Sequence, residues 1–283
     1  MSKINILSFD IEEWWHFDVY STEDKWDNYE PRIDFYLDKV LDELDYHNIK
    51  AAFFCLGWIA RKHPLVIKKI SERGHEIACH TDKHIFVKDM NPESFDKDLR
   101  IALDSIQSVS GTKIKSFRAP SFTITENEKW AFEVLANNGI EYDCSIFPAS
   151  RSYGGFPSFG DGKPTLIKYK GHEIKEFPIN TGKILGKDFV FGGGGYFRLF
   201  PYCYIRKLMK QSDYNMTYLH MRDFDDKQYR FKYFTLERRF KSYYGLKGAY
   251  NKFLRLLNEF DWISVEKAAQ EIDWNTVRKI NLK

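Results

Sequence analysis

The sequence predicts an α/β fold built on a mostly parallel sheet. Short runs of β-branched and aromatic residues alternate with segments whose apolar residues recur at helical spacing. Repeated strand–helix units of this kind give parallel strands, in either an open sheet or a closed barrel. The chain has 283 residues, a length common among single-domain barrels, so we expect one domain over residues 1–283.

The first half of the chain supplies most of the expected strands. Ile4–Phe9 is an apolar run typical of a strand, and Tyr36, Val40, Leu41 and Leu44 then recur at helical spacing. Further strands are predicted at 51–56, 76–79, 114–118 and 140–143. Further helices are predicted from Pro64 to near Gly74, from Asn91 through Ile106, and over 126–138 with Gly139 as its cap.

Residues 147–201 interrupt this alternation. The segment is rich in glycine and ends near the run Gly192–Gly195, so we expect an inserted loop and hairpin region. No Gly-Lys-Ser/Thr sequence follows the four glycines and no helix start is evident there. These absences argue against a phosphate-binding loop and favour a backbone that passes close to substrate or to the barrel rim. A late strand over 216–219 ending at His220, a helix over 250–260 and a last strand over 262–265 are predicted after it.

Composition excludes several classes of protein. The 43 basic and 40 acidic side chains give a net charge of +3, so no broad basic field indicates nucleic acid, and the basic segment 238–241 is interpreted as a solvated helix face. No apolar run approaches the roughly 20 residues of a membrane span, and the N-terminus lacks the apolar stretch of a signal peptide. We therefore expect a soluble, cytoplasmic protein. Its four cysteines form no C-x-x-C pair and are interpreted as reduced core thiols.

His80 and His84 are the most informative residues. Two imidazoles four residues apart can meet one divalent ion if the backbone between them turns helically. The acidic cluster Asp10-Ile11-Glu12-Glu13 follows the first predicted strand, and the histidines follow another. Because strands in βα units place their carboxyl ends at one edge, the pattern indicates a site of two histidines and one carboxylate with open positions.

The order of polar residues at the strand ends resembles the polysaccharide deacetylases, carbohydrate esterase family 4, whose shared unit is the NodB-homology domain. The residues that carry the resemblance are Asp10 and Glu12, the pair His80-Thr81 and His84, the run Arg118-Ala119-Pro120-Ser121-Phe122, Asp143 and His220. The resemblance is strong over about residues 3–150 and weaker toward His220. It implies a distorted (β/α) barrel.

The resemblance also implies residue roles. Asp10 would be the catalytic base, and Glu12, His80 and His84 would bind the metal. The family commonly has a second Asp where this chain has Ile11, and Glu12 faces the same way as Asp10 on a strand, with Glu13 as the alternative ligand.

Further roles follow from the later motifs. Arg118 would orient Asp10 by a bidentate pair, with a surface ion pair as the alternative, and His220 would be the general acid, set by Asp143. Pro120, Ser121 and Phe122 would line the substrate site, where Ser121-Phe122 departs from the family's tyrosine, and a backbone amide near Ser121 would be an oxyanion donor.

The function implied is removal of an N-acetyl group from an amino sugar of a polysaccharide or glycolipid intermediate, in surface polysaccharide or O-antigen synthesis. Zn²⁺ is the expected metal, with Co²⁺, Ni²⁺ or Mn²⁺ as alternatives. The rival interpretations are another metal-dependent amide hydrolase, such as a deformylase, and a non-catalytic carbohydrate-binding protein. His16 is either packed in the core or a further ligand or substrate contact. The charged residues at 222, 223, 225 and 226 are interpreted as solvated loop charge unless they contact substrate.

Overall fold

The computed structural model describes residues 3–17, 21–151, 153–184 and 187–283. Its strands β1 to β13 are Ile4–Ile6, Ser8–Ile11, Ala52–Cys55, Glu76–Cys79, Ser116–Phe117, Tyr142–Asp143, Thr165–Tyr169, His172–Glu176, Thr181–Ile184, Lys187–Val190, Tyr214–Met216, Leu219–His220 and Arg278–Asn281. Its helices α1 to α12 are Glu23–Trp26, Asp34–Tyr46, Gly57–Lys62, Pro64–Glu72, Pro92–Ser110, Trp130–Asn137, Gly194–Leu199, Tyr202–Gln211, Met221–Phe224, Leu236–Tyr243, Leu246–Glu259 and Val265–Glu271.

A nine-stranded sheet lies at the centre, in the order β12-β2-β3-β4-β5-β6-β8-β7-β13. Every neighbouring pair in it is parallel except the hairpin β7–β8. The predicted α/β fold with a mostly parallel sheet is therefore confirmed. A closed barrel is not confirmed, because no backbone ladder among the described residues joins β12 to β13. Outside the sheet ladders, the side chain of Asn180, which follows β8, accepts the N–H of Met216 in β11 at 2.9 Å.

The helices follow the predicted amphipathic pattern in the first half of the chain. Helix α2 buries Leu37, Val40, Leu41 and Leu44 against the sheet. Helix α5 begins after Asn91, whose side chain accepts the N–H of the third helical residue in a capping box. Apolar spacing and cap chemistry are local properties of the sequence, which is why these elements appear where they were predicted.

The second half of the chain differs from prediction in two places. Residues 262–265 are not the last strand: Ile263 makes a single bridge to Ile6, Val265 begins α12, and β13 is the last strand. The segment 147–201 is not simply inserted, since the hairpin β7–β8 joins the central sheet and β9–β10 forms a second hairpin. Residues 152, 185 and 186 of that segment lie outside the described part of the chain.

The glycine run starts a helix that the sequence analysis missed, because α7 begins at Gly194. The run does pass close to a neighbouring strand. A Cβ on Gly192 would lie 2.5 Å from the Met216 carbonyl oxygen, and Gly193 makes a backbone bridge to Tyr218. Only glycine allows the backbone this approach to the strand that leads to His220.

The structure also bears on two expectations from composition, which concern the cysteines and membrane-spanning segments. Cys55, Cys79 and Cys144 are free and buried, whereas Cys203 is free but exposed on α8, so it is not a core thiol. No helix in the described segments is long and apolar enough to cross a bilayer.

Candidate active site

The strand ends bring the predicted polar residues to one edge of the sheet. Strand β2 lies between β12 and β3, and its register places Asp10 directly beside His220. Strand β4 follows β3, so its carboxyl end brings the His80–His84 loop to the same edge. The acidic cluster, the histidine pair and His220 therefore meet through sheet order, as parallel topology requires.

Glu12, His80 and His84 form a compact trio. One ligand atom from each lies within 4.8 Å of the others, and all three side chains are buried. Glu12 Oε2 and His84 Nε2 are 2.7 Å apart, yet Glu12 Oε2 has no aligned hydrogen-bond partner. A buried carboxylate oxygen without a donor is costly unless a cation satisfies it, so these residues fit a divalent ion.

The hydrogen bond of His80 supports this interpretation. His80 Nδ1 lies 2.7 Å from the Arg118 carbonyl oxygen, which can only accept, so Nδ1 carries the proton. The Nε2 lone pair is then available for a metal, and a carbonyl partner of this kind is usual behind a histidine ligand. Burial lowers the pKa of His80 to about 4, which favours the neutral form that binds metal.

The loop between the two histidines is not helical as the spacing argument assumed. Thr81 and His84 have φ of 71° and 60°, in the left-handed region that costs a residue other than glycine about 1 kcal/mol or more. The Thr81 hydroxyl braces the loop by accepting the His84 N–H at 3.1 Å. A strained and braced turn, instead of one helical face, brings the two imidazoles together.

Glu12 and Glu13 have separate environments. Burial raises the pKa of Glu12, but the nearby His84 and other histidines lower it more, and the net shift is well downward. Glu13 points away and accepts backbone N–H groups of Arg32 and Ile33 at the start of α2. Burial raises its pKa to about 7. The geometry thus brings Glu12, and not Glu13, to the histidines.

His16 is packed among aromatic rings. Its ring lies 4.5 Å from Trp26 and 5.3 Å from Trp58, measured between centroids, and its Nδ1 accepts the Glu13 N–H at 2.9 Å. Within the described residues, the compact metal-ligand group does not include it. The packing interpretation fits this placement better than the ligand interpretation.

Arg118 holds Asp10 from below. The guanidinium is fully buried, and its Nη1 donates to Asp10 Oδ1 at 2.6 Å. Its Nη2 donates to the Ser8 hydroxyl at 2.9 Å. The predicted bidentate pair is therefore divided between two acceptors, because Ser8 and Asp10 lie two positions apart on the same face of β2. The alternative of a surface ion pair is wrong.

His220 is paired with a carboxylate that differs from the predicted one. Its Nδ1 lies 2.8 Å from Asp223 Oδ2, and its Nε2 lies 3.6 Å from Asp10 Oδ2 and 3.8 Å from Glu12 Oε1. Burial lowers the pKa of His220, but the Asp223 carboxylate raises it more, so the net shift is upward. The imidazole thus presents Nε2 to the site, and the Asp223 carboxylate at Nδ1 stabilises its positive charge.

Asp143 does not contact His220, so that predicted pairing is wrong. Four strands, β2, β3, β4 and β5, separate its strand β6 from β12, which carries His220. Its Oδ1 accepts the Ser145 hydroxyl at 2.6 Å, and Ser145 in turn accepts the Ala119 N–H. Burial raises the pKa of Asp143 and of its register neighbour Glu176. Asp143 therefore braces the turn that follows Arg118.

That turn contains the predicted substrate residues. Ser121 and Phe122 both have positive φ, 52° and 57°, which turns the backbone sharply at the edge of the site. The Phe122 ring is 3% exposed and packs edge-on against Tyr218, so it is not an open wall. Pro120 is also buried, and only Ser121 is partly exposed.

Sequence reasoning missed two residues behind His220. Asp223 was assigned to solvated loop charge, yet it is buried and pairs with Arg198 at 3.0 Å as well as with His220. Arg198 donates to the carbonyl oxygens of Lys241, Ser242 and Tyr244. The available signal was the spacing His220-x-x-Asp223 at a strand–helix junction, since a carboxylate three residues on can cap the helix and meet the imidazole.

Other charged residues of the 222–226 segment also have partners within the protein. Asp225 is 3% exposed and makes a two-point pair with Arg32, which includes a 3.0 Å bond from Nη2. The Arg222 guanidinium lies 3.7 Å over the Phe17 ring. Solvated loop charge is therefore the wrong description of Asp225.

Two family matches divide the chain. Residues 19–142 match the family described as polysaccharide deacetylase, and residues 144–270 match a domain of unknown function, DUF3473. The second match covers His220 and Asp223. The boundary between the two lies next to Asp143, within the central sheet.

Similar proteins share parts of the sequence or the fold. A peptidoglycan-N-acetylglucosamine deacetylase of Bacillus cereus is 36% identical over 96 residues, which is 34% of this chain and 35% of that protein. The match thus spans about a third of the relative's length. A structure from Mycobacterium smegmatis assigned to the polysaccharide deacetylases covers 100% of this chain and 95% of its own, at a TM-score of 0.68 and 16% identity. A pseudoenzyme of carbohydrate esterase family 4 from Bacillus anthracis covers 94% of this chain and 65% of its own, at a TM-score of 0.51 and 11% identity.

Proposed function

We propose that the chain is a metal-dependent hydrolase that removes N-acetyl groups from amino sugars, and the match of residues 19–142 to the family described as polysaccharide deacetylase supports this. The observation that carries the proposal is the convergence of the buried Glu12–His80–His84 trio with Asp10 and His220 at one sheet edge. An acid, a base and a metal trio within reach of one another are the parts that amide hydrolysis needs.

The proposed metal is Zn²⁺, held by Glu12, His80 and His84. Two imidazoles and one carboxylate are a ligand set that suits zinc, although Co²⁺, Ni²⁺ and Mn²⁺ accept the same donors. A divalent ion in this position would polarise the acetamide carbonyl and lower the pKa of the attacking water.

Asp10 is proposed as the general base. Its Oδ1 is held by Arg118, which leaves Oδ2 facing the site, where it takes a proton from water as oxygen bonds to the acetyl carbon. The Arg118 guanidinium is fully buried and is itself held by the Ser8 hydroxyl, so it orients the Asp10 carboxylate without competition from water. The Ser121 backbone amide is proposed to donate to the carbonyl oxygen as negative charge develops there.

His220 is proposed as the general acid. Its Nε2 gives a proton to the amine nitrogen as the carbon–nitrogen bond breaks, which releases acetate and a free amino sugar. The upward shift in its pKa, caused by Asp223, favours the protonated imidazole that a general acid needs. Asp223 takes the part that the family pattern suggested for Asp143.

The substrate class is proposed as an N-acetylated amino sugar within a polysaccharide or glycolipid, in surface polysaccharide synthesis. The name of the B. cereus relative supports an N-acetylglucosamine unit. The B. anthracis pseudoenzyme makes a non-catalytic carbohydrate-binding protein the rival to test.

The decisive experiment combines metal analysis with acetate release. Purified protein is stripped with a chelator and reloaded with Zn²⁺, and acetate is measured from N-acetylglucosamine oligomers, peptidoglycan fragments and lipid-linked sugars. We expect His80→Ala and His84→Ala to lose bound metal and acetate release together, while His47→Ala, at the end of α2, retains both. Full metal occupancy in the two site variants, or metal binding by the parent without any acyl release, would overturn the proposal.

A further inference from the structure

The surface of residues 229–244 stands out among the exposed parts of the chain. It carries large apolar side chains that face solvent, and their exposed fractions are 51% for Tyr229, 84% for Leu236, 51% for Phe240 and 51% for Tyr244. Leu236 and Phe240 are one helical turn apart on α10, and the Phe240 and Tyr244 rings lie 4.7 Å apart. The side chains of Leu236, Phe240 and Tyr244 form one stripe, since positions four apart share a helix face.

Basic side chains surround this stripe. Residues 229–244 contain five Lys and Arg and one acidic residue, Glu237. The excess of positive charge here is larger than the +3 of the whole chain. Arg230, Lys232, Arg239 and Lys241 are exposed beside the apolar residues. The sequence analysis interpreted the 238–241 part as a solvated helix face, but a solvated face does not require Leu236 and Phe240 at its outer positions.

We propose that the 229–244 surface docks on an anionic lipid membrane. Aromatic and leucine side chains enter the interface between headgroups and acyl chains, while Lys and Arg pair with anionic headgroups. Nucleic acid would use the basic residues and the rings, but it would leave an 84% exposed leucine without a partner. A soluble protein partner would not account for the one-sided positive charge.

The surface lies beside the candidate active site. The Tyr229 ring packs 5.3 Å from Trp14, which follows Glu13 in the chain. On the other side, Arg198 bonds to the backbone of Lys241 and Tyr244 while it pairs with Asp223 behind His220. A membrane bound at this surface would therefore bring lipid-linked sugars next to the site. Membrane binding itself requires no catalysis, so its test is independent of the proposed hydrolase activity.

The test is cosedimentation of the full chain with vesicles. We expect binding to vesicles of phosphatidylcholine with phosphatidylglycerol, little binding to phosphatidylcholine alone, and loss of binding as salt rises. Leu236→Ser with Phe240→Ser should weaken binding by about tenfold or more, because the variant has no apolar side chains at these two positions to bury in the membrane interface. Arg230→Gln with Lys232→Gln should weaken it by about fivefold for each charge removed.

Matched controls use exposed apolar and basic residues elsewhere on the surface. Leu65→Ser with Ile101→Ser removes exposed apolar side chains from α4 and α5, and Lys68→Gln with Lys97→Gln removes exposed charges from the same helices. Both controls should bind vesicles as the parent does. Equal losses in the controls, equal binding to neutral vesicles or no vesicle binding would overturn the proposal. It would also be overturned by tighter binding to single-stranded RNA than to vesicles, or by a dimer in solution that Leu236→Ser with Phe240→Ser dissociates.

Discussion

Replacing Asp223 by Asn should move the alkaline limb of the pH–rate profile to lower pH. Asp223 Oδ2 lies 2.8 Å from His220 Nδ1 in a buried setting, and its charge raises the pKa of His220. Removing an opposite charge at this distance typically lowers a pKa by about 1–3 pH units. Coulomb's law agrees, since two unit charges about 4 Å apart at an effective dielectric constant of about 20 attract by about 4 kcal/mol. Because the proposed acid must be protonated, kcat/KM should then fall at a pH lower by that amount.

The assay is kcat/KM for acetate release against pH, with Asp143→Asn as the matched control. Asp143 bonds to Ser145 and not to His220, so its substitution should leave the alkaline limb in place. The Asp223 variant also leaves buried Arg198 without its carboxylate, so its folding must be checked by circular dichroism. Asp223→Glu keeps the charge and should restore part of the limb. The Asp223–His220 pairing would be refuted if the alkaline limb moved in Asp143→Asn and stayed in place in Asp223→Asn.

The remaining predictions concern Asp10, Glu12, Glu13 and His220. Glu12→Ala should lose bound Zn²⁺, whereas Glu13→Ala should keep it and lose about 1 kcal/mol of unfolding free energy, because Glu13 accepts N–H groups at the start of α2. Elemental analysis and urea unfolding distinguish the two, and metal loss in Glu13→Ala alone would reverse the ligand assignment. Asp10→Asn should keep the metal and lower kcat by about 100- to 10,000-fold, measured as acetate release. His220→Ala should keep the metal and lose far more rate on an amide than on an activated ester, whose leaving group needs no proton; equal losses would instead indicate a structural role.

The pair also predicts how stability depends on pH. The pKa of His220 is raised in the folded state, so its contribution is lost as pH rises through that folded value. The pKa of Asp223 is lowered to about 2: burial alone would raise it, but the His220 charge and the nearby arginines lower it more. Its contribution is therefore lost as pH falls from about 4 toward 2. The free energy of unfolding of the parent should therefore exceed that of Asp223→Asn most at pH values above about 4 and below the folded-state pKa of His220.

The motif residues could be chosen from the sequence because their signals are local. Strand β4 and helices α2, α4 and α5 begin or end within a few residues of prediction, since apolar spacing, Pro64 and the Asn91 cap act over one or two turns. The prediction that Asp10 and Glu12 share a face also needed only strand alternation. Two-residue strands such as β5 and β6 were predicted too long, because apolar runs do not show where a ladder stops.

The side-chain partners could not be chosen in this way. Asp143 is as plausible as Asp223 in the sequence, and only the sheet order shows that four strands separate β6 from the strand of His220. The cap that turns Asp223 back onto His220 depends on a helix starting directly after a two-residue strand. Arg198, which pairs with Asp223 at 3.0 Å, lies on α7, a helix that begins in the glycine run.

The sequence by itself therefore determined the α/β class, the order of its early elements and the acidic and imidazole groups that reach the strand ends. The tertiary structure alone decided that Glu12 faces the histidines while Glu13 meets α2, and that Asp223 supports His220. The physical reason is range. Periodicity and capping are encoded within a few neighbouring residues, whereas the contacts of a side chain depend on register, backbone turns and burial set by residues far along the chain.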